Sequence, residues 1–277
     1  MFYISSMVQS VGYNPYYQNY YPYEDYPYEP RRTAPQKQES SEISALGLLL
    51  ASEAIRYGSE KASNALMRGK EYTTIDNVKK VTQNMLNKGN LNDVSVHFVD
   101  MNNIQNISRK TGISVNNLYE VASGKNAFYA DSAKVAVAPK AKPSLIQHEL
   151  GHAINAKNPF LKALQNSRRY AHFAPTALIL ANAIAKRINK DPNGEPTFIE
   201  KHAGKLGFAA FLPTIIEEGI ASLRGIQAAK RTLGGQNIKL GALKRNYFFA
   251  WMTYLLAGLG LGVAAKLSVK TGIPINS

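Results

Sequence analysis

The first half of the chain changes its spacing of apolar and polar positions several times, as a small mixed α and β fold does. Apolar residues at helical spacing follow Thr73 and Thr74, so we predict a capped helix that ends near Lys88. Val94 to Val99 is rich in β-branched and aromatic residues, which is typical of a strand. Further on, the pattern predicts a short helix at 102–110 and strands at 127–130 and 134–138.

Long apolar stretches dominate the second half of the chain. Pro143 suits the first turn of a helix that we predict to reach about Asn158. Charged residues then bound three apolar stretches, at 170–185, 206–216 and 246–265. The last stretch is long enough to span a bilayer, whereas the first two are short for full spans. We predict that 170–223 forms an antiparallel hydrophobic hairpin, either partly embedded in a membrane or packed as a buried core.

The first 72 residues differ from the rest. Nine of the 16 tyrosines lie before residue 30, among closely spaced prolines that prevent a helix. We therefore predict a disordered Tyr/Pro-rich tail over 1–41. From 42 to 72 apolar residues recur at helical spacing, and Glu53 and Arg56 interrupt them. This pattern predicts an amphipathic helix that lies on an apolar surface.

Composition and charge limit the chemistry and the partners. The chain has 277 residues, a net charge of +14 and no cysteine, so histidines and carboxylates must hold any metal. A basic chain favours nucleic acid or an anionic membrane surface. Many of the basic residues flank apolar runs, and no nucleic-acid-binding motif is recognisable, so we expect membrane lipid and not nucleic acid as a partner. The first ten residues lack the pattern of a signal peptide, so secretion is not expected.

The sequence HELGH at 148–152 is the strongest chemical motif. His148 and His152, four residues apart, leave the same face of a helix about 6 Å apart at Cβ. Both imidazoles can reach one Zn²⁺ at roughly 2.0–2.1 Å. Glu149 follows the first histidine, so its carboxylate lies beside a water on the metal, where it can act as a general base. The motif predicts a zinc-dependent endopeptidase that acts on protein or peptide substrates, with the strand at 134–138 pairing with the substrate.

A third metal ligand must come from outside the motif. Position 158 is Asn158, which excludes the third histidine of metzincins. Glu217 and Glu218 directly follow eleven apolar residues, and two carboxylates buried there need a partner such as a metal ion. Adjacent helical residues point about 100° apart, so only one of the two is expected to face the metal. The spacing favours Glu218 as the ligand, because the small Ala221 lies three residues later, but steric considerations do not exclude Glu217. If Glu218 is the ligand, loss of the Glu217 carboxylate should leave the metal content nearly unchanged.

The motif helix, the hydrophobic hairpin and the E-x-x-A pattern at 218–221 together resemble the membrane-integrated gluzincin peptidases. These include the CAAX prenyl endopeptidases and the HtpX-type heat-shock peptidases. The similarity covers roughly 134–224, about a third of the chain. It implies a zincin-like core, Zn²⁺ as cofactor and Glu218 as the third ligand. The family usually has an aspartate after the alanine, whereas this chain has Ser222.

These patterns predict an α+β fold that is predominantly helical, with a zincin-like catalytic core of a small sheet and the motif helix. The predicted units are a disordered tail (1–41), an amphipathic helix (42–72), a peptidase domain (73–245) with its hairpin, and a C-terminal transmembrane helix and tail (246–277). Basic residues concentrate on the catalytic side of the hairpin, which predicts an integral membrane protein with that side in the cytoplasm. The alternative is a non-catalytic membrane scaffold or binding protein whose histidine pair is structural.

Overall fold

A computed structural model describes residues 69–171, 173–189, 195–234 and 238–270 of the chain. The elements, in chain order, are α1 (Ile75–Lys88), β1 (Ser95–Val99), α2 (Ile104–Thr111), α3 (Val115–Ala122), β2 (Phe128–Ala130), β3 (Val135–Pro139), a 3₁₀ turn (Pro143–Leu145), α4 (Ile146–Ala156), α5 (Pro159–Ala171), α6 (Ala174–Asn189), α7 (Phe198–Leu233) and α8 (Leu240–Lys270). The prediction of a mostly helical α+β fold is confirmed.

Two predicted segments fall largely outside the described residues. They are the disordered tail at 1–41 and the amphipathic helix at 42–72, of which only the last four residues are described. Those four residues, 69–72, are not helical. They instead bind the rest of the fold: the Asn246 side chain donates to the Lys70 carbonyl, and Gln147 donates to the Tyr72 hydroxyl. Residues 70 and 72 are therefore held against α8 and α4.

Local capping explains where several helices begin. Thr74 accepts a hydrogen bond from the Asn77 backbone and starts α1. Thr197 and Glu200 form a reciprocal capping box at the start of α7. Ser114 caps α3 in the same way as Thr74 caps α1. Helix α3 was not predicted, and this N-cap serine was the signal that could have located it.

The three strands form one sheet in the order β1-β3-β2. β3 runs parallel to β1 and antiparallel to β2, and it is buried at all five positions. Since β3 has a strand on each side, the prediction that a substrate strand pairs with it is wrong. The outer edges of the described sheet belong to β1 and β2.

Helix α4 lies at the centre of the largest apolar core. Its buried Ile146 and Leu150 pack in one cluster with Leu233 near the end of α7 and with Leu243 and Tyr247 of α8. The first turns of α8 therefore belong to the same core as the motif helix.

Helices α6 and α7 form an antiparallel hairpin whose first helix starts later than predicted. Tyr170 belongs to a separate helix, α5, which the sequence did not distinguish. Lys186 near the end of α6 pairs with Glu200 near the start of α7, so the two helices run in opposite directions. Pro175 lies in the first turn of α6, where proline is tolerated. The connection between the two helices, at 190–194, lies outside the described residues.

Helices α7 and α8 approach each other closely through glycines. A Cβ on Gly207 would lie 2.6 Å from the Ala265 Cβ, and a Cβ on Gly262 would lie 2.7 Å from the Gly204 carbonyl oxygen. Small residues at such a crossing are common between helices in membranes. By length and composition both helices can cross a bilayer, and α8 contains the predicted span at 246–265.

Candidate metal centre

Helix α4 presents both motif histidines to α7. Gly151 lies between them, and a Cβ at that position would be 2.4 Å from the Ala221 carbonyl oxygen. A glycine on α4 and a small residue on α7 therefore allow the two backbones to approach. Because the helices are so close, His148, His152 and Glu218 meet in a buried cluster.

Three donor atoms converge in this cluster. His148 Nε2 lies 3.1 Å from Glu218 Oε2 and 3.1 Å from His152 Nε2. His152 Nε2 lies 3.5 Å from the same Glu218 oxygen. Two imidazole nitrogens and one carboxylate oxygen at these separations can hold a metal ion. These are the three residues that the sequence predicted as ligands.

Glu217 does not join the cluster, but it contacts the outer side of His152. Its Oε1 accepts a hydrogen bond from His152 Nδ1 at 2.8 Å and another from the Asn155 side chain at 2.9 Å. Arg224 in turn donates to Asn155 at 2.7 Å. A carboxylate on Nδ1 fixes the imidazole ring and leaves Nε2 for a metal. This contact changes the expectation that Glu217 matters little for metal binding.

Ser222 lies where the resemblance would place an aspartate. Its Oγ is 3.1 Å from His148 Nδ1, so a neutral hydroxyl meets the first motif histidine. The ring of Tyr247 lies beside the same histidine, with ring centroids 5.6 Å apart, and its hydroxyl donates to the Ser144 carbonyl. The Nδ1 atoms of the two histidines thus have different partners, a carboxylate for His152 and a hydroxyl for His148.

Arg168 of α5 joins the two carboxylates. Its Nη2 lies 2.9 Å from Glu217 Oε2 and 2.6 Å from Glu218 Oε1. Both glutamate side chains have 0% exposure, so this cation offsets two adjacent buried negative charges. Arg168 was not predicted from the sequence, because no spacing rule links α5 to α7. Asn155 was not predicted either, although it lies three residues after His152 on the same face of α4 and could have been found in that way.

Glu149 borders a pocket beside the cluster. The pocket has a volume of about 60 Å³, and its lining includes His148 and Glu149, Asn126 and Ala127 just before β2, and Ala250, Thr253 and Tyr254 of α8. Burial raises the pKa of Glu149, although the two neighbouring histidines act in the opposite direction. Glu149 is therefore a buried carboxyl group beside three residues that could hold a metal ion.

The charges around His152 attract a cation. Burial by itself lowers the pKa of His152, but the carboxylates of Glu218 and Glu217 outweigh it and raise the pKa to about 10. The space between the rings therefore favours positive charge, which a proton or a metal ion can supply.

Comparison of the chain with protein-family models, with curated proteins and with solved structures finds no match.

Proposed function

We propose that the protein is a zinc-dependent metalloendopeptidase that hydrolyses peptide bonds at or near a membrane. The observation that carries this proposal is the convergence of His148 Nε2, His152 Nε2 and Glu218 Oε2, with Glu149 on the adjoining pocket. A motif helix, a following hydrophobic hairpin and the glutamate of E-x-x-A also underlie the resemblance to the membrane-integrated gluzincins.

The ligand set and its spacing fit zinc. Catalytic zinc sites commonly use three protein ligands from histidine and carboxylate and keep one position for water or substrate. Tetrahedral bonds of roughly 2.0–2.1 Å place the ligand atoms about 3.3–3.4 Å apart. The observed separations of 3.1, 3.1 and 3.5 Å lie on either side of that value. When bound, zinc would supply Lewis-acid activation of a water and of the scissile carbonyl group.

Glu149 is the residue that would move protons. It follows a ligand on α4 but does not belong to the cluster, and it lines the pocket. Its ionised carboxylate could take a proton from the attacking water and pass it to the leaving amine.

The outer edge of β2 is the place where a peptide could pair. Asn126 and Ala127 lead into β2 and line the same pocket as Glu149. An extended peptide that pairs with a sheet edge gains main-chain hydrogen bonds regardless of its sequence. This edge is open in the described sheet and adjoins the pocket that His148 and Glu149 line, whereas β3 has a strand on each side.

The hairpin and α8 support a location in a membrane. Leu180, Ile184 and Ile188 recur at helical spacing on α6 and are 59%, 59% and 74% exposed. A row of exposed aliphatic side chains beside two helices long enough to span fits contact with lipid. Basic residues at the site end of these helices, at 224–231 and 244–245, favour the cytoplasm for the catalytic side.

Hydrolysis of unfolded protein by the full-length chain tests this function. The detergent-solubilised protein, loaded with zinc, is incubated with casein and with a mixture of random peptides, and new amino termini are measured. Glu149→Gln should keep the zinc and lose about 10²–10⁴-fold in rate, because glutamine cannot accept a proton. Glu195→Gln, at an exposed position outside the site, is the matched control. Zinc binding without hydrolysis by the wild type would favour the scaffold alternative, and undiminished turnover by Glu149→Gln would remove Glu149 as the base.

A further inference from the structure

Arg168 contacts the cluster of His148, His152 and Glu218 from outside it. It lies on α5, and it reaches both glutamates of α7 through one guanidinium nitrogen. We infer that Arg168 is a positioning residue of the metal centre, which determines the carboxylate oxygens that face the two histidines. The inference rests on the proposed zinc site and assigns a task to a residue outside the HExxH and ExxA patterns.

The four carboxylate oxygens are divided between the arginine and the histidines. Arg168 Nη2 bonds Oε2 of Glu217 and Oε1 of Glu218, at 2.9 and 2.6 Å. The other oxygen of Glu217 accepts from His152 Nδ1, and the other oxygen of Glu218 lies 3.1 Å from His148 Nε2. Each carboxylate therefore turns one oxygen to the cation and one to a ring. The guanidinium thus leaves Glu218 a single oxygen for the metal.

Charge balance gives a second reason for an arginine here. Zn²⁺ carries two positive charges, and Glu149, Glu217 and Glu218 carry three negative charges when ionised. All three glutamates are buried, so an excess negative charge would be costly. The guanidinium supplies the missing positive charge, and the occupied site is then neutral with both imidazoles uncharged.

The surroundings hold the guanidinium in place. Its central carbon lies 5.8 Å from the centre of the Tyr254 ring on α8. A planar guanidinium directs its donors in fixed directions, whereas a lysine ammonium is a point charge on a flexible stem. The next residue, Arg169, is exposed and makes a matched control for a change of charge on α5.

The test compares Arg168→Gln, Arg168→Lys and Arg169→Gln with the wild type, as full-length protein in detergent. Zinc affinity is measured by competition with a chromogenic chelator, and the ligand geometry by the visible absorption of the Co²⁺-substituted protein. Arg168→Gln should weaken zinc by about 10–100-fold, as loss of residues that orient ligands commonly does, and should change the Co²⁺ spectrum. Arg168→Lys should fold and fall between Arg168→Gln and the wild type in zinc affinity, with an altered spectrum. Arg169→Gln should match the wild type in both.

Several results would overturn the inference. Wild-type zinc affinity and spectrum in Arg168→Gln would show that the contact has no role at the metal. If Arg168→Gln does not fold, Arg168→Lys decides: wild-type behaviour would mean that charge alone suffices, and failure to fold would mean that the role is structural. Failure of the wild type itself to bind zinc or Co²⁺ would overturn the proposed function together with this inference, whereas a wild type that binds and variants that match it would overturn the inference alone.

Discussion

Two of the close contacts that helix α7 makes serve different purposes. Near Ala221 it meets α4 at Gly151, where an added Cβ would lie 2.4 Å from a backbone oxygen. Near Gly207 it meets α8, where an added Cβ would lie 2.6 Å from the Ala265 Cβ. Both contacts use small residues, but only the first brings buried histidines, carboxylates and an arginine together. Close packing of helices is therefore shared by the site and by the pair of helices that are long enough to span a bilayer, and the charged side chains distinguish the site.

The largest effect is expected from a methyl group at the first contact. Gly151→Ala would drive a Cβ against the backbone of Ala221, which cannot rotate away as a side chain can. The two helices must separate, and misplacement by about 1 Å can reduce an enzyme's rate about a hundredfold. We expect zinc content and hydrolysis to fall together, measured by elemental analysis and by casein cleavage. Normal zinc content in this variant would show that the α4–α7 distance does not set the site.

A smaller effect is expected at the outer side of His152. Glu217→Gln keeps an oxygen that can accept from Nδ1 but removes the charge, so zinc affinity should fall by about tenfold. Chelator competition measures this change. Glu120→Gln, outside the site, provides the control. Unchanged affinity in Glu217→Gln would return this residue to the minor role that the sequence suggested.

The second contact should respond in stability and leave the metal in place. Gly207→Ala places a methyl group against Ala265 and the Leu261 carbonyl, and overpacking of this kind destabilises by about 1–3 kcal/mol. The thermal midpoint of the detergent-solubilised protein should fall, while the folded fraction keeps its zinc. A loss of zinc at temperatures where the variant is folded would show that the two contacts of α7 are not independent.

Sequence patterns reach the parts of the site that depend on local spacing. The histidine pair follows from the i, i+4 relation, and Glu218 was favoured because the small Ala221 lies three residues later. The hydrogen bond between Glu217 and His152 Nδ1 could not be predicted in this way, because it depends on the orientation of the imidazole ring in the folded protein. Arg168 could not be found at all, since α5 meets α7 only through tertiary packing.

The sheet shows the same division between local and long-range information. Residue types predicted the strands near 95, 128 and 135 within one or two residues. Strand order depends on pairing between distant segments, so the central position of β3 was missed and the substrate edge was assigned to the wrong strand. The helix boundary near Tyr170 was missed for a related reason, because the apolar stretch at 170–185 begins at the end of α5 and continues into α6.

The zinc content of purified wild type, His152→Ala and Glu218→Gln tests the central claim most directly. Elemental analysis of protein loaded with zinc and dialysed should give one zinc per wild-type chain. His152→Ala should lose its zinc. The zinc affinity of Glu218→Gln should fall by at least about tenfold, because a neutral amide replaces a charged ligand. Stoichiometric, tightly held zinc in either variant, or none in the wild type, would contradict the account.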